Sequence, residues 1–307
     1  MKIHILPIAD KGCQPDHQGF IWPPHNAGHD WGIEQDFYVW LLAHPEYLAD
    51  SPDEADWHYL PIWFNRYFIN NDWGESRLDE LQAEIDLAVV DGPRTFYICE
   101  YDIPAVQPFL NLWGMLQFTG NMVEEGNGIH VPLLCASHRM PAVLPDKRHL
   151  ACFIGNFDTC GVRSDIGAEL GYWLDGVWCG SSKEHKRRYH VEHGNHGTEF
   201  MADLMLRSLV ALAPRGDGNQ SYRFYEAMSL AVAPMLIADL DSRPFKRWID
   251  WDSFSFWRKD AEGLDGFLRG LDPEGLLDMG RRAWEAWETD LRYGQWCRYL
   301  IKELEEL

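Results

Sequence analysis

The run Leu212–Glu226 (LAPRGDGNQSYRFYE) holds the densest set of residues able to do chemistry. An apolar, strand-like stretch enters a glycine-containing loop, and the loop enters a helical pattern at Ser221. In an open α/β sheet, ligands bind where such loops lie, at the carboxyl ends of strands. A helix N-terminus offers N–H groups and the positive end of its dipole to an anion. Arg215 and Arg223 add forked, charged donors that suit phosphate oxygens. Glu226 lies three residues beyond Arg223, on the same helix face, where a carboxylate can accept two hydrogen bonds from ribose hydroxyls. The same residues also read as a capped helix with surface Arg–Glu pairs, Ser221 being its N-cap. The loop is no Walker A sequence, since no Gly-Lys-Ser/Thr follows, and it is not Gly-x-Gly-x-x-Gly.

Two other regions collect titratable groups. Residues 10–36 contain Asp10, Asp16, His17, His25, His29, Asp30 and Glu34 among prolines, glycines, Trp22 and Trp31. This reads as a long loop after the first strand, and long loops in compact domains often carry function. His190, His193 and His196 recur at every third residue, and His25 and His29 lie four apart. A metal site is one reading of these histidines; Gly194 and Gly197 argue against one helix face, so a polar loop is the other. Lys183, Lys186, Arg187 and Arg188 form a basic cluster that reads as a solvated face, or as a contact for an anionic acceptor or membrane surface.

The elements that must position these residues alternate. Strand-like runs occur at Ile3–Ile8, Trp57–Trp63, Thr95–Cys99 and Ile129–Leu134, with helical patterns at Glu34–Ala43 and Arg77–Val89. Pro141–Arg148 reads as a linker. A second series follows: strands at His149–Ile154, Val210–Ala213 and Ala233–Ala238, and helices at Ser164–Trp173, Ser221–Ala231 and Asp265–Leu271. Pro273 opens a further helix, and Leu276–Leu307 is long, charged and amphipathic, with Trp284, Trp287, Leu291, Trp296, Tyr299 and Leu300 at helical spacings. This order predicts an α/β fold of two Rossmann-like halves with parallel sheets.

Composition narrows the function classes. The 307 residues carry a formal charge of −21, which argues against a broad nucleic-acid-binding face. A local basic pocket for a small anion stays open. Seven cysteines without a Cys-x-x-Cys pair suit a reducing compartment better than a disulfide framework. Fifteen tryptophans suit a core, or flat platforms for sugars. No apolar run approaches the ~18 residues of a membrane span, and the N-terminus reads as a strand rather than a leader.

The run from Ala213 to Ser255 contains Pro214-Arg215-Gly216, Ser221-Tyr222-Arg223-Phe224-Tyr225-Glu226-Ala227, Pro234-Met235, Pro244-Phe245 and Asp250-Trp251. By these motifs it resembles the C-terminal part of the exostosin-like glycosyltransferases. Upstream, Phe153, Gly155 and Arg163 are similar to the family's strand-Phe-x-Gly with a following Arg, and Asp53, Ala55, Asp56 and Pro61 to an N-terminal segment. The resemblance spans roughly residues 34–290. It implies a GT-B fold, with two Rossmann-like domains facing a cleft, and inverting transfer from a nucleotide sugar. The expected division is residues 1–145 for the acceptor domain, 146–285 for the donor domain, and 286–307 for a C-terminal helix returning to the first domain.

By that resemblance Gly155, Arg163, Arg215, Gly216, Ser221, Tyr222, Arg223 and Glu226 line the donor site. The arginines and the helix N-terminus would stabilise the leaving diphosphate with no metal or other cofactor. Glu226 would hold the ribose, and Phe153, Tyr222 or Tyr225 would stack on the base or join the core. The candidate general bases are Asp30, then His17, with Glu100 and Asp102 also at a strand end. The expected partners are a nucleotide-sugar donor, read as a UDP-sugar, and a glycan or other hydroxyl acceptor. A cytoplasmic enzyme of bacterial or viral origin, acting in polysaccharide biosynthesis, is expected. A non-catalytic nucleotide-sugar or glycan binder on the same scaffold is the alternative, and a metal-dependent hydrolase built on the histidines is third.

Overall fold

The computed structural model describes residues 1–9, 32–64, 67, 77–100, 110–112, 114–120, 128–135, 138, 140–171, 173–174, 177–181 and 197–307. The chain divides into two compact units, Met1–Ala136 with Leu291–Leu307, and Ser137–Asp290. The divide thus precedes Pro141–Arg148, which forms neither helix nor strand.

The first unit is a parallel five-stranded sheet. Its strands are β1 (Ile3–Ile5), β2 (Trp57–Leu60), β3 (Thr95–Cys99), β4 (Leu116–Thr119) and β5 (Ile129–His130), hydrogen-bonded in that order. Every β3 residue is buried, as expected of a strand covered on both faces. Tyr59 and Phe96 pair across strands and stack at 5.1 Å. Phe37, from helix α1 (Ile33–Leu42), meets both rings edge-on. The opposite face carries Leu60, Tyr97 and Cys99 in one cluster with Leu81 and Ile85. Those two residues lie four apart on α2 (Leu78–Ala88), the buried stripe of that helix.

The second unit is a six-stranded sheet ordered β11-β10-β9-β6-β8-β7. The strands are β6 (His149–Gly155), β7 (Trp173–Leu174), β8 (Val177–Ser181), β9 (Ser208–Pro214), β10 (Ala233–Ile237) and β11 (Phe256–Arg258). All pairs are parallel except β7 with β8. Its helices are α3 (Gly161–Leu170), α4 (Gly197–Leu206), α5 (Tyr222–Ser229), α6 (Leu264–Arg269) and α7 (Pro273–Ala286). One sheet face packs Ala151, Phe153, Val210, Leu212, Met235 and Ile237 with α3, α6 and α7; the other packs Cys152, Ile154 and Ala211 with α4 and α5. Asp272 caps α7 by accepting from the Gly275 N–H at 2.8 Å, with Pro273 in the first turn. Gly280 of α7 lies so close to the Ala231 carbonyl that a Cβ would not fit.

Helix α8 (Cys297–Glu305) belongs to the first unit. Trp57 donates its indole N–H to the Leu304 carbonyl at 3.1 Å. Asp36 Oδ2 accepts from the Gly294 N–H at 2.7 Å and the Trp296 indole at 2.6 Å. Burial dominates the Asp36 carboxyl and raises it to about 7, although both hydrogen bonds act to lower it. Among the described residues no helix is long and apolar enough to cross a membrane.

Candidate active site

The second sheet has a topological switch point. From β6 the chain builds outward to β8 on one side, then returns to β9, β10 and β11 on the other. The loops after β6 and β9 therefore leave adjacent strands in opposite directions, the place where open α/β sheets bind ligands. The motif-bearing residues gather there.

Gly155 ends β6. A Cβ on it would meet Phe153 Cζ at 2.5 Å and Arg163 Nη1 at 3.6 Å, so only glycine admits this packing. Arg163, in the first turn of α3, reaches across the switch point. It donates from Nε to the Arg215 carbonyl at 2.8 Å, from Nη1 to the Asn156 carbonyl at 3.1 Å, and from Nη2 to the Pro214 carbonyl at 3.4 Å. Its guanidinium also lies 5.9 Å from the Phe153 ring centre. The sequence suggested a phosphate ligand here; the geometry shows a brace that ties the two loops together. Gly216 lets that brace approach, since a Cβ there would stand 3.1 Å from Arg163 Nη2.

Arg215 turns its guanidinium along its own loop. Nη1 donates to the Gly216 carbonyl at 3.3 Å, and Nε pairs with Asp239 Oδ2 at 2.9 Å. Asp239 lies just beyond β10 and is exposed, whereas the Arg215 Nε that it faces is buried. The following loop is fixed from two sides. Tyr225 donates its hydroxyl to Gln220 Oε1 at 2.5 Å, and Ser242 donates to the Asn219 carbonyl at 2.6 Å. Ser221 occupies the N-cap position of α5 with extended backbone, yet its side chain makes no capping bond. Tyr222 begins the helix and is half-buried.

Arg223 and Glu226 form the polar centre. Arg223 Nη1 donates to Glu226 Oε2, and Nε donates to the Ile154 carbonyl on β6 at 3.3 Å. The Glu226 side chain is only 10 % exposed. On its other side His138 Nε2 stands 3.7 Å from Oε1, too far for a hydrogen bond and close enough for an ion pair. Burial pushes the Glu226 carboxyl up, but Arg223 and His138 outweigh it and hold the group down at about 2. Glu226 is thus a fixed negative charge beside a cation, suited to accepting hydrogen bonds and unsuited to taking a proton.

Phe153 is 2 % exposed and Tyr225 1 %, so of the two readings, base platform or core, both rings take the core. Of that trio Tyr222 alone is half-buried rather than buried. His138 gave no sequence signal, because a lone histidine before a proline-containing linker has no partner within local spacing. The buried Arg243, which joins Asp241 at 2.9 Å, Asp252 at 2.8 Å and Ser255 at 3.1 Å, was equally silent.

Glu100 lies at the carboxyl end of β3 in the first unit, buried, and its N–H donates to Glu34 Oε1 at 3.0 Å. Asp30, His17, Asp102, His25, His29, the histidines at 190, 193 and 196, and the basic cluster at 183–188 lie outside the described residues. Among the described residues no group of three or more His, Cys, Asp or Glu side chains could hold a metal ion. Cys99, Cys135, Cys152, Cys160 and Cys297 are free thiols, and burial raises Cys152 to about 11, away from reactive thiolate character.

No family model matches the chain. Among curated proteins it is similar to the probable beta-1,4-xylosyltransferase IRX10L of Arabidopsis thaliana, 25% identical over 293 residues, covering 84% of this chain and 69% of that one. The probable glucuronosyltransferase GUT1 of Oryza sativa subsp. japonica is 22% identical over 261 residues, covering 75% and 62%. Exostosin-1 of Drosophila melanogaster is 23% identical over 164 residues, covering 50% and 21%. The chain thus resembles exostosin-type glycosyltransferases, as its motifs do. Among solved structures, TarM overlaps at a TM-score of 0.37 with 9% identity, over 73% of this chain and 56% of that one. Glycosyltransferase VinC in complex with DTDP overlaps at 0.34 with 11% identity, over 89% and 79%. Overlaps this low add nothing to the two parallel sheets themselves.

Proposed function

We propose that the protein is an inverting glycosyltransferase of the GT-B type. It moves a sugar from a nucleotide-sugar donor, a UDP-sugar, to a hydroxyl of a glycan or other acceptor, without a metal. The observation that carries this reading is the Arg223–Glu226 pair at the start of α5, beside the switch point between β6 and β9. The similarity to glycosyltransferases supports the reaction class.

The site's charges fit the needs of that reaction. As the glycosidic bond breaks, negative charge grows on the departing diphosphate. Arg215 exchanges its exposed Asp239 partner for a phosphate oxygen, and the N-terminus of α5 faces the same charge. Arg163 keeps the two loops in place rather than gripping the phosphates. Glu226, ionised at neutral pH, accepts from the ribose hydroxyls. Free, buried thiols support a reducing, cytoplasmic setting. The acceptor hydroxyl gives its proton to Asp30, with His17 as the second candidate.

The test is thermal shift with UDP, GDP, dTDP and their sugars in the presence of EDTA, followed by detection of released nucleoside diphosphate. A ligand that binds only the folded state raises Tm by mass action. One nucleotide should stabilise the wild type, and Arg223→Ala and Glu226→Ala should lose that shift. Equal shifts in the variants, or none in the wild type, would overturn the donor assignment.

A further inference from the structure

We propose that a cavity walled by the linker and α4 is a second binding site of this unit, one that takes a neutral oligosaccharide. It goes beyond the donor site described above and stands whether or not that site binds a nucleotide.

The cavity has a volume of about 460 Å³, within the size range of small-molecule sites. One wall is the linker, which contributes every second residue, Pro141, Val143 and Pro145. An extended segment presents alternate side chains to one side. The two prolines fix their own φ angles, so this apolar wall is formed before a ligand arrives. The other wall is one face of α4, where Glu199, Ala202, Asp203 and Leu206 follow the helical spacing of three and four. Arg207, just beyond the helix, donates from Nε to Asp203 Oδ2 at 2.8 Å. His138 lines the same cavity. Its side chain is 7 % exposed, and its Nε2 is buried without a hydrogen-bond partner. That nitrogen stands 3.7 Å from Glu226 Oε1, so one side chain borders both the cavity and Glu226.

These groups select a ligand by elimination. Among the described residues the cavity carries two carboxylates and one guanidinium, so an anion meets an excess of negative charge. A cation has to compete with Arg207 for Asp203. A wholly apolar ligand strips water from the Asp203–Arg207 pair and offers no hydrogen bond in return. A neutral sugar avoids all three penalties. Its C–H face lies on the proline and valine wall. Neighbouring hydroxyls, each donor and acceptor at once, bridge the carboxylate and the guanidinium. A further hydroxyl supplies the partner that His138 Nε2 lacks.

The experiment is saturation-transfer NMR on the full chain, with cellotriose, maltotriose and mannotriose as neutral probes. Trigalacturonate serves as the anionic probe and the glucosamine trimer as the cationic one, and each probe that binds is then titrated. At least one neutral trisaccharide should bind in preference to both charged probes. Asp203→Ala removes the acceptor half of the pair from a side chain that is 54 % exposed, so the protein keeps its fold. It should weaken the binding about ten- to a hundred-fold. Ala202→Trp fills the cavity from the helix wall and should abolish the binding. Should Ala202→Trp fail to fold, Asp203→Ala still decides. Binding of no neutral probe, preference for a charged one, or unchanged affinity in either folded variant overturns the inference. Thermal shift with nucleotides on the same proteins reports on the donor site separately. Trisaccharide binding without any nucleotide shift sinks the donor reading and leaves this one standing.

Discussion

Asp36→Asn separates charge from hydrogen bonding in the seat of the C-terminal segment. Asp36 Oδ2 joins α1 to the Gly294 N–H and the Trp296 indole, and its residue is 2 % exposed. Burial raises the carboxyl from 3.8 to about 7, with the two hydrogen bonds opposing. A raised folded value means that the folded chain keeps a proton which the unfolded chain releases. The stability linked to that proton is whole below pH 3.8 and is lost as pH rises through 7. A shift of this size, at about 1.4 kcal/mol per pH unit, is worth about 4 kcal/mol. Asparagine keeps an oxygen for the Gly294 and Trp296 donors and never ionises. Urea unfolding at half-unit steps from pH 4 to 8 should therefore show the wild type losing up to about 4 kcal/mol relative to Asp36→Asn. Hydrogen exchange of peptides spanning residues 291–307 should locate the change in the returning segment. A difference between the two proteins that stays constant across this pH range would refute the reasoning.

Three further outcomes are expected. Arg163→Ala removes three bonds to backbone carbonyls across the switch point and should cost about 2–3 kcal/mol in a denaturant melt, with a weaker nucleotide shift. Gly280→Ala forces a methyl against the Ala231 carbonyl and should destabilise by about 1–3 kcal/mol, visible as a lower Tm with nucleotide affinity unchanged. Glu226→Gln should flatten the acid limb of stability. The wild-type carboxyl is held from 4.5 down to about 2, so its roughly 3 kcal/mol is present above pH 4.5 and lost as pH falls to 2, whereas the glutamine variant has none to lose.

What the sequence made legible followed local spacing. Thr95–Cys99 and the five-residue core of Ala233–Ala238 form strands because uninterrupted apolar runs of that length suit a sheet buried on both faces. Leu81 and Ile85 fall on one helix face as their spacing dictates. Strands β4 (LQFT) and β11 (FWR) were missed, since each mixes polar and apolar residues at a length too short for a period to show. Ile129–Leu134 yields only a two-residue strand, with one further backbone bond from the Val131 N–H to the Thr119 carbonyl. Helix α4 was missed as well, following a glycine- and histidine-rich run without an apolar period. At the site the Arg223–Glu226 contact was readable because it spans three residues, whereas the contacts of Arg163 with Pro214 and of His138 with Glu226 span 51 and 88 positions and arise only from topology.

Two of the buried carboxylates, Glu226 and Asp36, also bear on the general base. A base must hold a value near the working pH and reach the acceptor hydroxyl. Glu226 fails the first condition, because Arg223 and His138 keep it ionised down to about pH 2. Asp36 meets the first and fails the second, since its Oδ2 already accepts two donors inside the core. Both are therefore better explained as a ligand-holding charge and a structural tie. Under the proposed function the candidates for the acid–base role remain Asp30, then His17, with Glu100 and Asp102 behind them. A positioned base contributes about 10²–10⁴-fold. Asp30→Asn should lower kcat by about that factor and leave the nucleotide-induced Tm shift intact, because the base touches the acceptor and not the donor. An unchanged kcat in Asp30→Asn together with a lowered one in His17→Gln reverses their order. Full activity in both variants would remove these two residues from the proton transfer and leave Glu100, just after β3, and Asp102 as the remaining candidates.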